Sequence, residues 1–143
     1  TRGRKIYPQS KRLLIHADCG GSNGNRCWVW KVRLQALADE FGLTITVTHY
    51  PTGASKWNRI EHRLFCLISG NWAGIPLDSF ETVLKHIRTT RSSTGLRCRA
   101  WVDRREYPTR IKATAEEIGR LRIRHHKTFP QWNYTIYPHR KLN

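Results

Sequence analysis

Alternating and periodic apolar residues predict two strands with a helix between them. Residues 12–18 (RLLIHAD) form a short apolar run that ends in a carboxylate and is followed by the loop sequence GGSNGN. Residues 44–50 (TITVTHY) alternate between branched apolar side chains and threonines, which is typical of a strand. A helix capped by Asn25 and ended by Gly42 is predicted between them, because one face of a 3.6-residue period carries Trp30, Leu34, Leu37, Ala38 and Phe41.

A second helix is predicted after the loop sequence PTGA, from Ser55 to about Ser69. Its apolar face would consist of Trp57, Ile60, Leu64, Phe65 and Ile68. The order strand, helix, strand, helix is typical of parallel strands joined by crossover helices, so we expect an α/β fold.

The second half of the chain is less regular. Two further helices are predicted from capping boxes, one at Asp78 with Glu81 and one at Thr114 with Glu117. RCRAWVD (97–103) and WNYTIYP (132–138) have the residue types of strands and could pair with each other. We therefore expect three regions: a basic linker or frayed end at 1–11, an α/β core segment at 12–75, and a basic α+β extension at 76–143 that packs on the core.

The charge of the chain favours a polyanionic partner. Its 143 residues include 26 Lys or Arg and 10 Asp or Glu, so the formal net charge is +16. Solubility, the alternative explanation, rarely needs a net charge beyond about 8. No apolar run approaches the roughly 18 residues that a membrane helix needs, so nucleic acid is favoured over a membrane. Four widely spaced cysteines favour a reduced, cytoplasmic compartment.

Two carboxylates lie where a basic protein would not be expected to place them. Asp18 ends an apolar strand, at the edge of an α/β sheet where ligands bind; alternatively, it caps the loop by accepting backbone N–H groups of Gly20 or Gly21. Glu61 falls on the apolar face of its predicted helix. A salt bridge to Lys56 or an arginine, or a position at the rim of that face, is the alternative there.

Together, the two acids predict a metal site. A helix packed on the sheet could bring Glu61 beside Asp18, and two converging carboxylates repel each other unless a divalent cation lies between them. Oxygen ligands with open positions suit Mg²⁺ or Mn²⁺, and such ions support phosphodiester cleavage. Zinc is disfavoured, because no C-x-x-C or H-x-x-x-H pair is present.

The sequence also resembles a known family. HADCGGSNG (16–24) and HYPTGASKWNRIEHRLF (49–65) resemble the second and third acidic motifs of DDE transposases, in the branch described as the Rhodopirellula-type transposase DDE domain. The likeness extends from about Arg12 to Pro138 and includes the closing WNYTIYP. It implies an RNase H-like fold, binding of transposon-end DNA, metal-dependent phosphoryl transfer, and Asp18 and Glu61 as the second and third catalytic acids.

The resemblance also implies what is missing. The family uses three acids, and the first lies on a strand upstream of the Asp18 strand. The chain has no Met and begins at Thr1, so we expect a piece of a longer protein or a processed product. The expected core is therefore truncated, with an unpaired sheet edge. Alone, the chain is expected to have weak or no activity.

Polar residues near the two acids are candidates for DNA contact. They are Asn23, Lys56, Asn58, Arg59, His62 and Arg63. Loop and cap hydrogen bonds or plain solvation are the alternatives for these residues. The resemblance implies assembly on DNA, as a homo-oligomer, in the cytoplasm at the nucleoid. A basic module that binds DNA or RNA without chemistry, such as a decayed transposase, remains the alternative function.

Overall fold

The computed structural model describes residues 2–139. The chain divides into two compact units. The first, here called the sheet unit, comprises Thr1–Ser55 and Thr109–Asn143. The second, the helical unit, comprises Lys56–Pro108. The two units are defined by contacts within the chain and do not test the boundaries expected after residues 11 and 75, which stay predictions.

The sheet unit is built on a four-stranded mixed sheet, which confirms the α/β class. Its strands are β1 (Arg12–Ala17), β2 (Thr44–His49), β3 (Ile123–His125) and β4 (Asn133–Ile136), in the order β1-β2-β4-β3. β1 and β2 are parallel, as predicted, and β4 runs antiparallel to both of its neighbours. Its helices are α1 (Arg2–Ile6), which forms in the expected linker, α2 (Trp28–Phe41) and α5 (Ala115–Gly119).

The core of the sheet unit lies between α2 and the sheet, as the periodicity of α2 predicts. Leu34 and Ala38 of α2 pack with β2 and with two buried residues of β4, Tyr134 and Ile136. The helix ends at Gly42, which adopts the left-handed conformation with φ of 62°. The predicted cap at Asn25 is wrong: Cys27 occupies that position, and the Asn25 amide instead donates to the Gln131 carbonyl at 3.1 Å.

The predicted pairing of RCRAWVD with WNYTIYP is wrong. β4 pairs with β2 and β3, whereas residues 97–103 contribute only an isolated bridge between Arg91 and Arg97. The reason is burial. Tyr134 and Ile136 are fully enclosed in the core, whereas Trp101 is 69% exposed. A segment whose apolar residues alternate with arginines gains little from a place in the sheet.

The helical unit departs most from the predicted elements. The single helix expected from Ser55 to Ser69 is instead a 3₁₀ turn (Ser55–Trp57), a π-helical turn (Glu61–Phe65) and α3 (Cys66–Asn71). The next helix, α4 (Phe80–Thr89), is present, but its cap is Ser79 rather than Asp78, and the Ser79 hydroxyl accepts the N–H of Thr82 at 3.1 Å.

The capping box predicted at Thr114 and Glu117 is confirmed. The Glu117 carboxylate accepts the Thr114 N–H at 2.8 Å, and the Thr114 hydroxyl accepts the Glu117 N–H at 3.1 Å, at the start of α5. Within residues 2–139, no helix has both the length and the apolar character needed to cross a membrane.

Candidate functional site

Asp18 directly follows β1, at the edge of the sheet where the two parallel strands end together. Ala17, the last residue of β1, is in register with His49, the last residue of β2. The Tyr50 N–H then donates to the Ala17 carbonyl at 2.8 Å. The loops that follow both strands therefore start side by side, which is where ligands bind in open α/β sheets.

The Asp18 carboxylate is exposed, and one of its oxygens organises the glycine-rich loop. Oδ1 accepts the Gly20 N–H at 3.3 Å and the Asn23 side-chain amide at 3.1 Å. Loop capping is thus observed for Gly20. Among the contacts described within the sheet unit, Oδ2 accepts no hydrogen bond, so capping leaves half of the carboxylate available to a ligand.

Close packing in this loop explains two of its glycines. A Cβ on Gly20 would lie 3.0 Å from the Asn23 side-chain oxygen and 3.2 Å from Asp18 Oδ1. A Cβ on Gly24 would lie 3.0 Å from the Gly20 carbonyl oxygen. All three distances are tighter than ordinary van der Waals contact, so a side chain at either position would force its neighbours in the Asp18 loop to shift.

A chain of buried and partly buried hydrogen bonds holds the backbone carbonyl of Asp18 in place. The His49 ring, 6% exposed, donates from Nδ1 to the Asp18 carbonyl at 3.2 Å, since a carbonyl can only accept. Its Nε2 then accepts the Tyr134 hydroxyl proton at 3.2 Å, and that hydroxyl oxygen accepts the Trp30 indole N–H at 3.1 Å. Each group has a partner, and the directions are mutually consistent.

Burial favours the uncharged forms of the two titratable groups in this network, His49 and Tyr134. Burial lowers the pKa of His49, and the nearby charge of Lys31 acts in the same direction. Burial also raises the pKa of Tyr134 to about 12. Sequence reasoning missed this support, although a signal was present: His49 continues the alternation of Ile45 and Val47 and so falls on the buried face of β2.

A shallow cleft adjoins Asp18. It has a volume of about 200 Å³ and is lined by the residues after β1 (Asp18, Cys19, Gly20) and those after β2 (Pro51, Thr52, Gly53). The cleft therefore lies between the two loops that start at the carboxyl edge of the sheet, and Asp18 is its acidic side chain.

Glu61 lies in the helical unit, as the first residue of the π-helical turn. It is half-buried, and its backbone N–H donates to the Asn58 carbonyl at 3.0 Å. The apolar face expected around it does not form as predicted, since Ile68 is buried while Trp57, Ile60 and Phe65 are exposed. The division of this segment into a 3₁₀ turn and a π-helical turn accounts for the difference, because neither turn keeps the i, i+4 alignment of an α-helix. Within the described residues of this unit, Glu61 forms no ion pair with Lys56 or an arginine.

The candidate DNA contacts divide between the units. Asn23 belongs to the sheet unit, where it holds Asp18. The others belong to the helical unit, where Asn58 Oδ1 accepts the Ile60 N–H at 3.4 Å and the His62 ring donates to the Lys56 carbonyl. The cap alternative is thus observed for Asn58. The side chains of Lys56, Arg59 and Arg63 are exposed.

The two acids are thus described in separate units. Their predicted meeting, and a metal ion between them, stay predictions. In the described part of the chain, no cluster of three or more His, Cys, Asp or Glu side chains could hold a metal ion.

Comparison with known proteins gives one relationship. No curated protein and no solved structure matches the chain. The sequence model of one family, described as the Rhodopirellula transposase DDE domain, matches residues 1–138. That match spans almost the whole sequence and includes both acidic motifs, the intervening strand and helix, and the closing strand β4. The chain therefore belongs to the Rhodopirellula transposase DDE domain family.

Proposed function

We propose that this chain is part of an RNase H-like DDE transposase core that binds transposon-end DNA and takes part in strand cleavage and strand transfer. Asp18 and Glu61 would serve as its second and third catalytic acids. The observation that carries the proposal is the placement of Asp18: an exposed carboxylate, oriented through one oxygen only, at the shared carboxyl edge of two parallel strands.

The chemistry of Asp18 fits a hard divalent cation. Its carboxylate is exposed, has no cationic partner within the described sheet unit, and keeps Oδ2 unengaged. Mg²⁺ or Mn²⁺ prefers such oxygen ligands, and we assign Asp18 and Glu61 as the residues that would hold it. When bound, the metal would stabilise negative charge on the attacking and leaving oxygens of a phosphodiester.

The remaining steps belong to the protein side chains. Asn23 and the Gly20 N–H fix the direction of the Asp18 carboxylate. The buried chain through His49 and Tyr134 fixes the backbone from which that carboxylate extends. Preorganisation of this kind avoids the cost of orienting the ligand group when substrate binds.

DNA binding would rest on the cationic surface. The net charge is +16, and Lys56, Arg59 and Arg63 are exposed in one short segment of the helical unit that also contains Asn58 and His62. Contacts from these side chains to phosphates release counterions, so affinity should fall steeply with salt concentration. Residues 76–143, proposed as a basic extension, would add further phosphate contacts and so increase the salt-dependent part of the affinity for DNA.

A second candidate function is a basic DNA- or RNA-binding module without chemistry. The observation that favours it is the loop-capping role of Asp18, which explains the acid without any metal. Because two of the family's three acids are assigned within this sequence, we propose that the chain tested by itself has little or no cleavage activity under either function.

Metal binding separates the two functions. We expect Asp18→Asn and Glu61→Gln to abolish Mn²⁺ binding, measured by electron paramagnetic resonance, while DNA affinity at fixed salt is retained. The matched controls are Glu40→Gln in the sheet unit and Glu81→Gln in the helical unit, both exposed carboxylates that should leave Mn²⁺ binding intact. Wild-type protein that binds no Mn²⁺, or site variants that bind it as well as the controls do, would leave only the non-catalytic module.

A further inference from the structure

A second cavity in the sheet unit has a chemistry that the candidate catalytic site does not use. It has a volume of about 490 Å³, within the range of about 300–1,000 Å³ typical of ligand sites. Residues at the start of α2 (Arg26, Trp28, Lys31) form one wall, and residues before β4 (Gln131, Trp132) form another. The hydrogen bond from the Asn25 amide to the Gln131 carbonyl ties the two walls together.

Lys31 is the unusual residue of this cavity. It is 5% exposed, and its ammonium lies 4.4 Å from the centre of the Trp28 ring and 5.3 Å from that of Tyr134. No described oxygen acceptor or carboxylate pairs with it. Every fully enclosed polar side-chain atom in the described residues does have a hydrogen-bond partner. The ammonium is therefore not fully enclosed, and because Lys31 lines the cavity its donors can reach an anion bound there.

Electrostatics favours an anion at this position. Burial lowers the pKa of Lys31, so the protein bears a cost for keeping the ammonium charged. An anion in the cavity would offset that cost, and the exposed Arg26 adds a second cation to the same wall. Aromatic faces alone compensate a buried ammonium only partly.

The tryptophan rings that line the cavity indicate which kind of anion it would bind. Trp28 is 44% exposed, and Trp132 lines the opposite wall while it packs against Phe129 at 5.8 Å between ring centres. Nucleobases stack on such rings without regard to sequence. A ligand that brings a flat base together with a phosphate thus matches both features of the cavity, whereas a simple anion matches only one.

From these contacts we infer that the cavity binds one unpaired nucleotide of a DNA strand, with its base stacked on Trp28 and its phosphate at Lys31. This inference rests on the proposed function, because it takes DNA as the partner. It also relates the cavity to the candidate catalytic loop, which starts at Asp18 and leads into the cavity wall. In that loop the Cys19 thiol donates to the Asn25 side-chain oxygen at 3.9 Å.

The test compares strands with and without bases. Binding of the chain to a fluorescein-labelled oligothymidylate of about ten nucleotides, a length within one single-strand site, is measured by fluorescence anisotropy. A second strand of equal length has abasic sites. We expect Trp28→Ala to weaken binding of oligothymidylate roughly tenfold and to leave the abasic strand unaffected. Trp28→Phe should retain most of the affinity, and Lys31→Met should weaken binding of both strands.

Matched controls isolate the cavity. Trp101→Ala removes a more exposed indole in the helical unit, and Lys112→Met removes an exposed lysine from the sheet unit. Neither residue lines the cavity, so Trp101→Ala should leave the difference between the two strands unchanged, and Lys112→Met should cost less affinity than Lys31→Met. Because Trp28 is partly exposed, its variants remain decisive even if Lys31→Met fails to fold.

The outcomes separate this inference from the proposed function. Salt-dependent binding with no selective effect of Trp28→Ala would overturn the nucleotide cavity and leave DNA binding standing. Failure of the wild-type chain to bind either strand would overturn the nucleotide cavity alone, because the proposed function is decided by Mn²⁺ binding. Thymidine 5′-monophosphate is titrated as a third probe, and binding of it as tight as that of the oligonucleotide would overturn the assignment to a DNA strand.

Discussion

The sheet unit and the helical unit are stabilised by different kinds of contact. Among the described residues, every buried apolar side chain except Ile68 lies in the sheet unit. The helical unit relies on polar contacts, such as the Asn71 amide that donates to the His86 carbonyl at 2.6 Å and the Thr90 hydroxyl that donates to the same carbonyl at 2.8 Å. A packed core fixes a backbone more firmly than a few hydrogen bonds do.

The same contrast separates the two candidate acids. Asp18 extends from a backbone whose carbonyl is bound by a buried histidine and whose loop is closely packed. Glu61 begins a π-helical turn next to apolar side chains that are exposed. One acid is therefore held in place by the interior of its unit, whereas the other has local support only. We expect ligand or partner binding to order Glu61 more than Asp18.

The largest expected effect comes from the core of the sheet unit. Ile45→Ala removes a fully buried side chain, so the free energy of unfolding should fall by about 2–5 kcal/mol. Ile60→Ala, at an exposed position of the helical unit, should change it by less than about 0.5 kcal/mol. Chemical denaturation of both variants measures these values. Equal losses would show that the two units do not differ in the way described.

The next effect is a pH dependence that arises in the sheet unit. Because the folded-state pKa of His49 is lowered, the unfolded chain binds a proton first as the pH falls. Stability is therefore complete above the ordinary histidine pKa of about 6.5 and decreases below it, by at most about 1.4 kcal/mol per pH unit for this one group.

Denaturation between about pH 7 and pH 5 measures this decrease, and His49→Gln provides the comparison. The variant keeps a side-chain amide but cannot titrate, so its stability should fall less steeply with acid than that of the wild type. Identical slopes for the two proteins would refute the contribution of His49.

The smallest expected effect concerns the helical unit. Ser79→Ala removes the hydroxyl that caps α4 and should cost about 1 kcal/mol, which corresponds to amide exchange roughly fivefold faster in the first turns of that helix. Hydrogen exchange at residues 80–89 measures it. Ser93→Ala, at an exposed position outside the helix, is the control and should leave these rates unchanged. Unaltered exchange in Ser79→Ala would argue against the cap.

Local patterns in the sequence were sufficient for part of the fold. The β1-α2-β2 segment followed from periodicity, because its apolar faces are the surfaces that become the core. Gly42 as the helix stop and the capping box at Thr114 were predictable for the same reason, since each depends on neighbours within a few residues. Asp18 was found because an acid at the end of an apolar strand is itself a local signal.

Other features depended on distant partners and were missed or misplaced. The place of β4 between β2 and β3 was not predicted, because strand pairing over such a separation is decided by burial of Tyr134 and Ile136 and not by local residue type. The π-helical turn at Glu61 broke the periodicity from which its buried position was argued. Lys31 was an unremarkable lysine in the sequence until packing enclosed it.

The sequence by itself determined the parallel strand pair, the helix between them, the basic charge and the family motif around Asp18. Each of these is a property of residue types at short spacing. Only the tertiary structure decided which polar groups would be buried. The His49–Tyr134 hydrogen bond joins residues 85 positions apart, and the bond that ties the walls of the Lys31 cavity joins residues 106 positions apart. Such contacts form only when the whole sheet assembles.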